Sequence, residues 1–157
     1  MMQYTFILND LSATAALAQQ IAGVLAANFV ITLQGNLGAG KTTLTRAVLR
    51  QLGVQGSIKS PSFTLVEPYQ LPDYVIYHFD LYRFSDPEEW FDAGFDEYFS
   101  EPYLCFIEWP ENAAALIPQI DWQLQLKFKN NQRELSINAL TVTGTLCLNQ
   151  LITSAGI

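Results

Sequence analysis

The chain is expected to fold as an α/β unit, with a mostly parallel central sheet, helices on its faces, and antiparallel strands at one edge. Three patterns point there. Short apolar runs alternate with stretches of helical periodicity along the first half of the chain. One run, Tyr103-Leu104-Cys105-Phe106-Ile107, is apolar throughout, as a strand buried on both faces of a parallel sheet must be. From Asp121 to Lys129, by contrast, Trp122, Leu124, Leu126 and Phe128 alternate with Asp121, Gln123, Gln125 and Lys127, the period of a half-exposed strand.

Taken in order, Tyr4 to Leu8 reads as a short strand, and Ser12 as the cap of a helix whose apolar face is Leu17, Ile21, Val24 and Leu25. Phe29 to Leu33 is the next strand. A glycine-rich turn follows, and then Leu44, Ala47, Val48 and Leu52 recur at helical spacing up to Gly53, a residue suited to a helix C-terminus. Phe63 to Val66 and Tyr74 to Phe79 make two further strands, separated by Pro68 and Pro72-Asp73. Pro87 to Phe99 is helical with a break near Gly94. Asn130-Asn131 supplies a hairpin turn into a strand from Glu134 to Leu140, and Leu148, Leu151 and Ile152 mark a closing helix from Gly144. No linker, repeat or low-complexity tract divides the chain, so residues 1–157 are read as one unit.

Between the second strand and the second helix lies Gly35-Asn36-Leu37-Gly38-Ala39-Gly40-Lys41-Thr42, which fits GxxxxGK[ST]. A strand, this loop and a helix together make the expected fold P-loop NTPase-like, in three layers. The loop also names a ligand. Backbone N–H groups of Gly38, Ala39 and Gly40 are suited to curl around phosphate oxygens, Lys41 to reach the β- and γ-phosphates, and the Thr42 hydroxyl to ligate Mg²⁺, with Thr43 following. A packed turn has no need of the Lys-Thr pair. One hydroxyl is thin support for Mg²⁺, so a carboxylate is expected at the end of a neighbouring strand, and Glu108 stands directly after the apolar run. Trp109 comes next, as suited to stacking on a ligand or partner as to packing.

Two more segments carry chemistry. Ser60, Ser62 and Thr64 in Ser-Pro-Ser-Phe-Thr place hydroxyls where a mobile segment senses a terminal phosphate in P-loop enzymes. His78-Phe79-Asp80-Leu81-Tyr82-Arg83 closes a strand with an acid and an arginine. Asp80 is placed to orient or deprotonate a water, and Arg83 to pair with Asp80 or touch phosphate. The acid–aromatic mixture from Phe84 to Phe99 suits a docking surface, but apolar residues usually go inside, which favours a helix pair with a solvated acidic face.

Composition restricts the partners. Fifteen acids against eight Lys and Arg leave a formal charge of −7, which argues against direct contact with nucleic acid. No apolar run is long enough to span a membrane, and Met1 to Thr5 lacks the character of a secretion signal, so a cytoplasmic protein with no membrane association is expected. Cys105 and Cys147 match no metal spacing and read as core thiols. A small-molecule kinase would bring an arginine-rich lid, and a GTPase an NKxD motif; the sequence has neither.

Taken together, the loop from Gly35 to Thr43, Ser60 to Thr64, His78 to Arg83 and Ile107-Glu108-Trp109 resemble the bacterial TsaE (YjeE) family in order and spacing. The family usually has Thr where Ser62 stands, and Ser keeps the hydroxyl. The resemblance implies an ATP-binding fold, Mg²⁺ held by Thr42 and Glu108, and slow hydrolysis within a complex with the TsaB and TsaD proteins. In that complex N6-threonylcarbamoyladenosine is formed at position 37 of tRNAs reading codons that begin with A, so tRNA is met indirectly. It further implies adenine contacts near Asp10, Leu11, Ser12 and Arg133.

Overall fold

The structure is a computed structural model and describes residues 2–156. Seven strands join one sheet: β1 (Met2–Leu8), β2 (Phe29–Gln34), β3 (Val66–Gln70), β4 (Val75–Asp80), β5 (Tyr103–Glu108), β6 (Trp122–Lys129) and β7 (Gln132–Ala139). The α-helices are α1 (Leu11–Val24), α2 (Lys41–Leu52), the short α3 (Glu89–Asp92) and α4 (Val142–Ser154). Sheet order is β1-β7-β6-β2-β5-β4-β3.

The strands β6, β2, β5 and β4 run parallel to one another at the centre. Antiparallel pairing was expected at one edge and occurs at both, with β7 and β1 on one side and β3 on the other. Connection length explains the second edge. Gln70 pairs directly with Val75, and a parallel neighbour would need a crossover of a dozen residues or more. The strand expected at Phe63 to Val66 lies later, at Val66–Gln70, and includes Pro68. An edge strand tolerates a proline because its outward side has no ladder to complete.

Side chains alternate between two cores. Phe29, Ile31 and Leu33 of β2 and Leu104 and Phe106 of β5 face Leu17 and Ile21 of α1, Leu44 and Val48 of α2, and Leu148 and Leu151 of α4. On the opposite face Val30, Cys105, Ile107 and Phe79 meet Phe84, Trp90 and Phe95. Those aromatics of the 84–99 segment are therefore core, with Phe91 left exposed and the acids mostly on the surface. In β6, Trp122, Leu124 and Leu126 turn inward as their period required. Asn130 and Asn131 both adopt positive φ, the backbone of a tight hairpin turn.

Two helix starts differ from expectation. Asp10, not Ser12, caps α1: its carboxylate accepts the Ala13 N–H at 2.8 Å, and Ser12 lies inside the first turn. The extended backbone at Asp10 puts its side chain within reach of that amide. For α4 the cap is Thr141, and Gly144 sits within the helix. A Cβ on Gly144 would stand 2.5 Å from the Asp121 carbonyl, so close approach explains the glycine.

Asp121 ties this corner together. One carboxylate oxygen accepts Val30 N–H at 2.9 Å and the other accepts the Thr141 hydroxyl at 2.6 Å, joining β2 to the start of α4. Asp121→Ala leaves a buried amide and a hydroxyl without their acceptor, and is expected to cost about 2–4 kcal/mol. Urea denaturation at neutral pH measures the difference.

Candidate functional site

Parallel pairing brings the chemistry-bearing residues to one end of the sheet. Leu33 near the end of β2 pairs with Glu108 at the end of β5, and Glu108 pairs with Asp80 at the end of β4. The chain leaves β2 into the glycine-rich loop and re-enters regular structure at Lys41. Gly38 (φ 80°) and Gly40 (φ 105°) take left-handed conformations that bend the loop over the helix start. A Cβ on Gly35 would meet the Leu126 carbonyl at 2.7 Å, so its glycine is enforced by close packing.

Helix α2 starts unusually bare. Its first turn has no acidic residue and no side-chain cap, whereas Asp10 and Thr141 cap α1 and α4. The first N–H groups of a helix have no partners within it and, with the dipole, present positive potential. Beside this start is a cleft of about 260 Å³. It is lined by Leu37, the loop from Gly38 to Thr43, and, from elsewhere in the chain, Ser62, Asp80, Glu108, Trp109 and Arg133.

At the floor of the cleft the Thr42 hydroxyl donates to the Glu108 carboxylate, 2.9 Å from Oε1 and 3.1 Å from Oε2. The same Oε2 lies 2.5 Å from Nε2 of His78. Both Glu108 and His78 are buried. Lys41 donates its ammonium to the carbonyls of Gly35 and Asn36, and its Nζ stands 4.0 Å from the centre of the Trp109 ring. Burial lowers the Lys41 pKa below the usual ammonium range, against the attraction of Glu108, Asp80 and Glu111. Asp80 moves the opposite way, raised by burial and by repulsion from Glu108, while the Tyr82 N–H at 3.0 Å, His78 and Lys41 counter the rise.

The remaining expected residues divide. Trp109 adopts a left-handed backbone (φ 57°), rare for a non-glycine residue, and its half-buried ring packs 4.9 Å from that of Tyr82. Ser60 and Ser62 share a hydrogen bond at 2.8 Å, and only Ser62 of the pair reaches the cleft. Thr64 is turned to Glu67 at 3.0 Å. Leu65, just beyond, also has positive φ (69°); its N–H bonds to Pro61 O and its carbonyl accepts Asp80 N–H, each at 2.9 Å.

Arg83 does not pair with Asp80. Its guanidinium lies 4.5 Å over the exposed Phe63 ring, because Asp80 points into the cleft while Arg83 stands beyond the strand end on the surface. Arg133 donates Nε–H to the Ala39 carbonyl at 3.1 Å and lines the cleft. Leu11 borders a smaller adjoining cavity with Thr43 and Arg133; Asp10 is engaged in its helix cap, and Ser12 lines neither space.

Leu37 at the cleft wall and Tyr82 against Trp109 were not singled out from the residues. The one available signal for Tyr82 was its place within the His78 to Arg83 segment. No spacing rule brings Tyr82 to Trp109; strand pairing does.

Comparison with known proteins identifies the family. A family model described as "Threonylcarbamoyl adenosine biosynthesis protein TsaE" matches residues 8–135. The tRNA threonylcarbamoyladenosine biosynthesis protein TsaE of Haemophilus influenzae is 44% identical over 115 residues, 73% of each chain. Its Bacillus subtilis counterpart is 36% identical over 128 residues, 81% of this chain and 80% of the relative. Among solved structures, the crystal structure of Bacillus subtilis YdiB superposes with a TM-score of 0.82 at 28% identity, covering 98% of this chain and 97% of the other. With the family model matching residues 8–135 and these two relatives 44% and 36% identical over most of the chain, the chain belongs to the TsaE family of threonylcarbamoyladenosine biosynthesis proteins.

Proposed function

We propose that the protein is a P-loop ATPase, residues 1–157 acting as one unit, that binds ATP with Mg²⁺ in this cleft and hydrolyses it slowly. The turnover is required for forming N6-threonylcarbamoyladenosine at position 37 of tRNAs reading codons that begin with A, and it drives cycling of a TsaB–TsaD complex. The observation that carries the reading is the convergence of the bare α2 start, Lys41, Thr42 and Glu108 on one cleft.

The donor set fits the ligand. Thr42 and Glu108 are hard oxygen donors in direct contact and would hold Mg²⁺, which when bound supplies charge neutralisation between the β- and γ-phosphates. Loop N–H groups from Gly38 to Thr43 would cradle phosphate oxygens. Lys41 would exchange its two carbonyl contacts for phosphate, and the Trp109 face would keep its stem in place. Asp80 faces the cleft next to Glu108, where it would orient the attacking water. Leu11 and Arg133 sit on the side of the loop where the adenosine moiety would lie.

Slow turnover follows from the arginines. Arg83 rests on Phe63 outside the cleft and Arg133 is tied to Ala39, leaving Lys41 as the cation at the phosphate end. An arginine supplied in trans raises P-loop hydrolysis by about 10³ to 10⁵ in related systems, which makes partner stimulation the natural control. Among the described residues no helix is long and apolar enough to cross a membrane, consistent with work in the cytoplasm. The charge of −7 fits a protein that meets tRNA through its partners.

The test is a tRNA-modification assay reconstituted with TsaB and TsaD, with and without this chain, scored together with phosphate release. Modification that needs the chain, and phosphate release that rises when the partners are added, are expected. In the same assay Glu108→Gln should still bind ATP, without the full gain in affinity that Mg²⁺ gives the wild type, and lose turnover by roughly 100-fold, the order seen when one preorganised group is removed. Sustained modification by that variant would make hydrolysis dispensable. Lys41→Ala removes a charge-assisted contact worth about 1.5–3 kcal/mol, so calorimetry should show ATP affinity lower by roughly 10- to 100-fold.

A pH effect follows from Asp80. Folding raises its pKa above the ordinary 3.8, so the group's stabilising contribution is complete below that value and is lost as pH climbs through the raised one. Asp80→Asn should remove that loss. Its melting temperature should gain on the wild type as pH increases toward neutrality, while phosphate release falls.

A further inference from the structure

His78 is the chain's single histidine, and the roles assigned to Lys41, Thr42, Asp80 and Glu108 leave it without one. It is wholly buried; on its face of the sheet Ile76 and Asp80 flank it on its own strand, Phe106 lies across from it on β5 and Glu67 on β3. Among the described residues Nδ1 has no hydrogen-bond partner, while Nε2 lies 2.5 Å from Glu108 Oε2. An orphaned buried nitrogen is unfavourable, so packing alone selects an apolar side chain at this position. The single bond the imidazole makes is to the acid at the cleft floor. With no acceptor at Nδ1 among the described residues, Nε2 is the nitrogen that donates, its N–H directed at the carboxylate.

Glu108 needs such a restraint. Its side chain turns about three bonds, the Thr42 hydroxyl is its one other side-chain hydrogen-bond donor among the described residues, and Lys41 is close enough to attract it. We propose that His78 is the positioning residue for Glu108: from β4 it fixes Oε2 on one side, so that Oε1 stays against Thr42 where the metal of a bound nucleotide is held. The inference rests on the reading of the cleft as an Mg²⁺-nucleotide site. Partners of this kind behind a metal ligand typically change metal affinity by about 10- to 100-fold when removed.

The experiment titrates ATP into the full chain by calorimetry, once in Mg²⁺ and once in EDTA, for the wild type, His78→Leu, His78→Gln and His78→Asn, with thermal unfolding run alongside. The Gln amide nitrogen reaches the position of Nε2, whereas that of Asn stops near Nδ1. The gain in ATP affinity from Mg²⁺ should shrink about tenfold or more in Leu and Asn and stay within about threefold of wild type in Gln, with the EDTA affinities unchanged. If Leu does not fold, the contrast between Gln and Asn decides. A full Mg²⁺ gain in Leu or Asn overturns the proposal, as does a Gln variant that loses the gain as completely as the others. A wild type indifferent to Mg²⁺ removes the metal site itself, and the proposal with it, before any variant is compared.

Discussion

The site depends on one adjacency: β2 and β5 are direct parallel neighbours and end at the same level, with Leu33 opposite Glu108. Neighbouring strands lie about 4.8 Å apart, so a carboxylate on the next strand reaches a hydroxyl in the first turn of the helix that follows the loop. One intervening strand would double the gap and break the Thr42–Glu108 contact. The same register on the other side of β5 sets Asp80 beside Glu108. Three residues far apart in sequence thus meet because of sheet order alone, and the two cores above and below the sheet hold that order.

Charge is concentrated where water is scarce. A buried ammonium and two buried carboxylates crowd the end of the sheet, and the opposite movements of Lys41 and Asp80 record the cost of desolvation. Backbone dipoles offset part of it. The Gly35 and Asn36 carbonyls receive Lys41 and the Tyr82 amide serves Asp80, so each charged group already has a polar neighbour. Polar partners of this kind set the end of the sheet apart from the two apolar cores.

How much of this was legible in the sequence follows the range of each signal. The glycine-rich loop is contiguous, and Glu108 is marked by the apolar run before it; the loop lies between β2 and α2 and Glu108 at the end of β5, as their local patterns predict. The alternation in β6 and the Asn130-Asn131 turn are equally local. Choices set by tertiary context were not legible. Asp10 and Ser12 are both good caps, and backbone geometry at residue 10 decides between them. The strand near residue 65 begins later because Pro61 to Thr64 are held in turns, of which only Ser62 reaches the cleft. Arg83 seemed destined for an acid by proximity in sequence, yet the end of β4 sends the two side chains apart, and Phe63 takes the guanidinium. The bond from His78 to Glu108 spans thirty residues of chain and is invisible without the pairing of β4 with β5.

The left-handed leucine at position 65 has a mechanical consequence. For a side chain branched beyond Cβ that conformation costs about 1–2 kcal/mol, and here two backbone bonds hold it in place, one back to Pro61 and one from Asp80. The serine-bearing turn is therefore not a loop floating over the cleft. It is tied through Leu65 to the amide of the acid that faces the cleft. The turn bearing Ser62 at one wall of the cleft and the backbone of Asp80 at the other are thereby joined through one leucine and two backbone bonds.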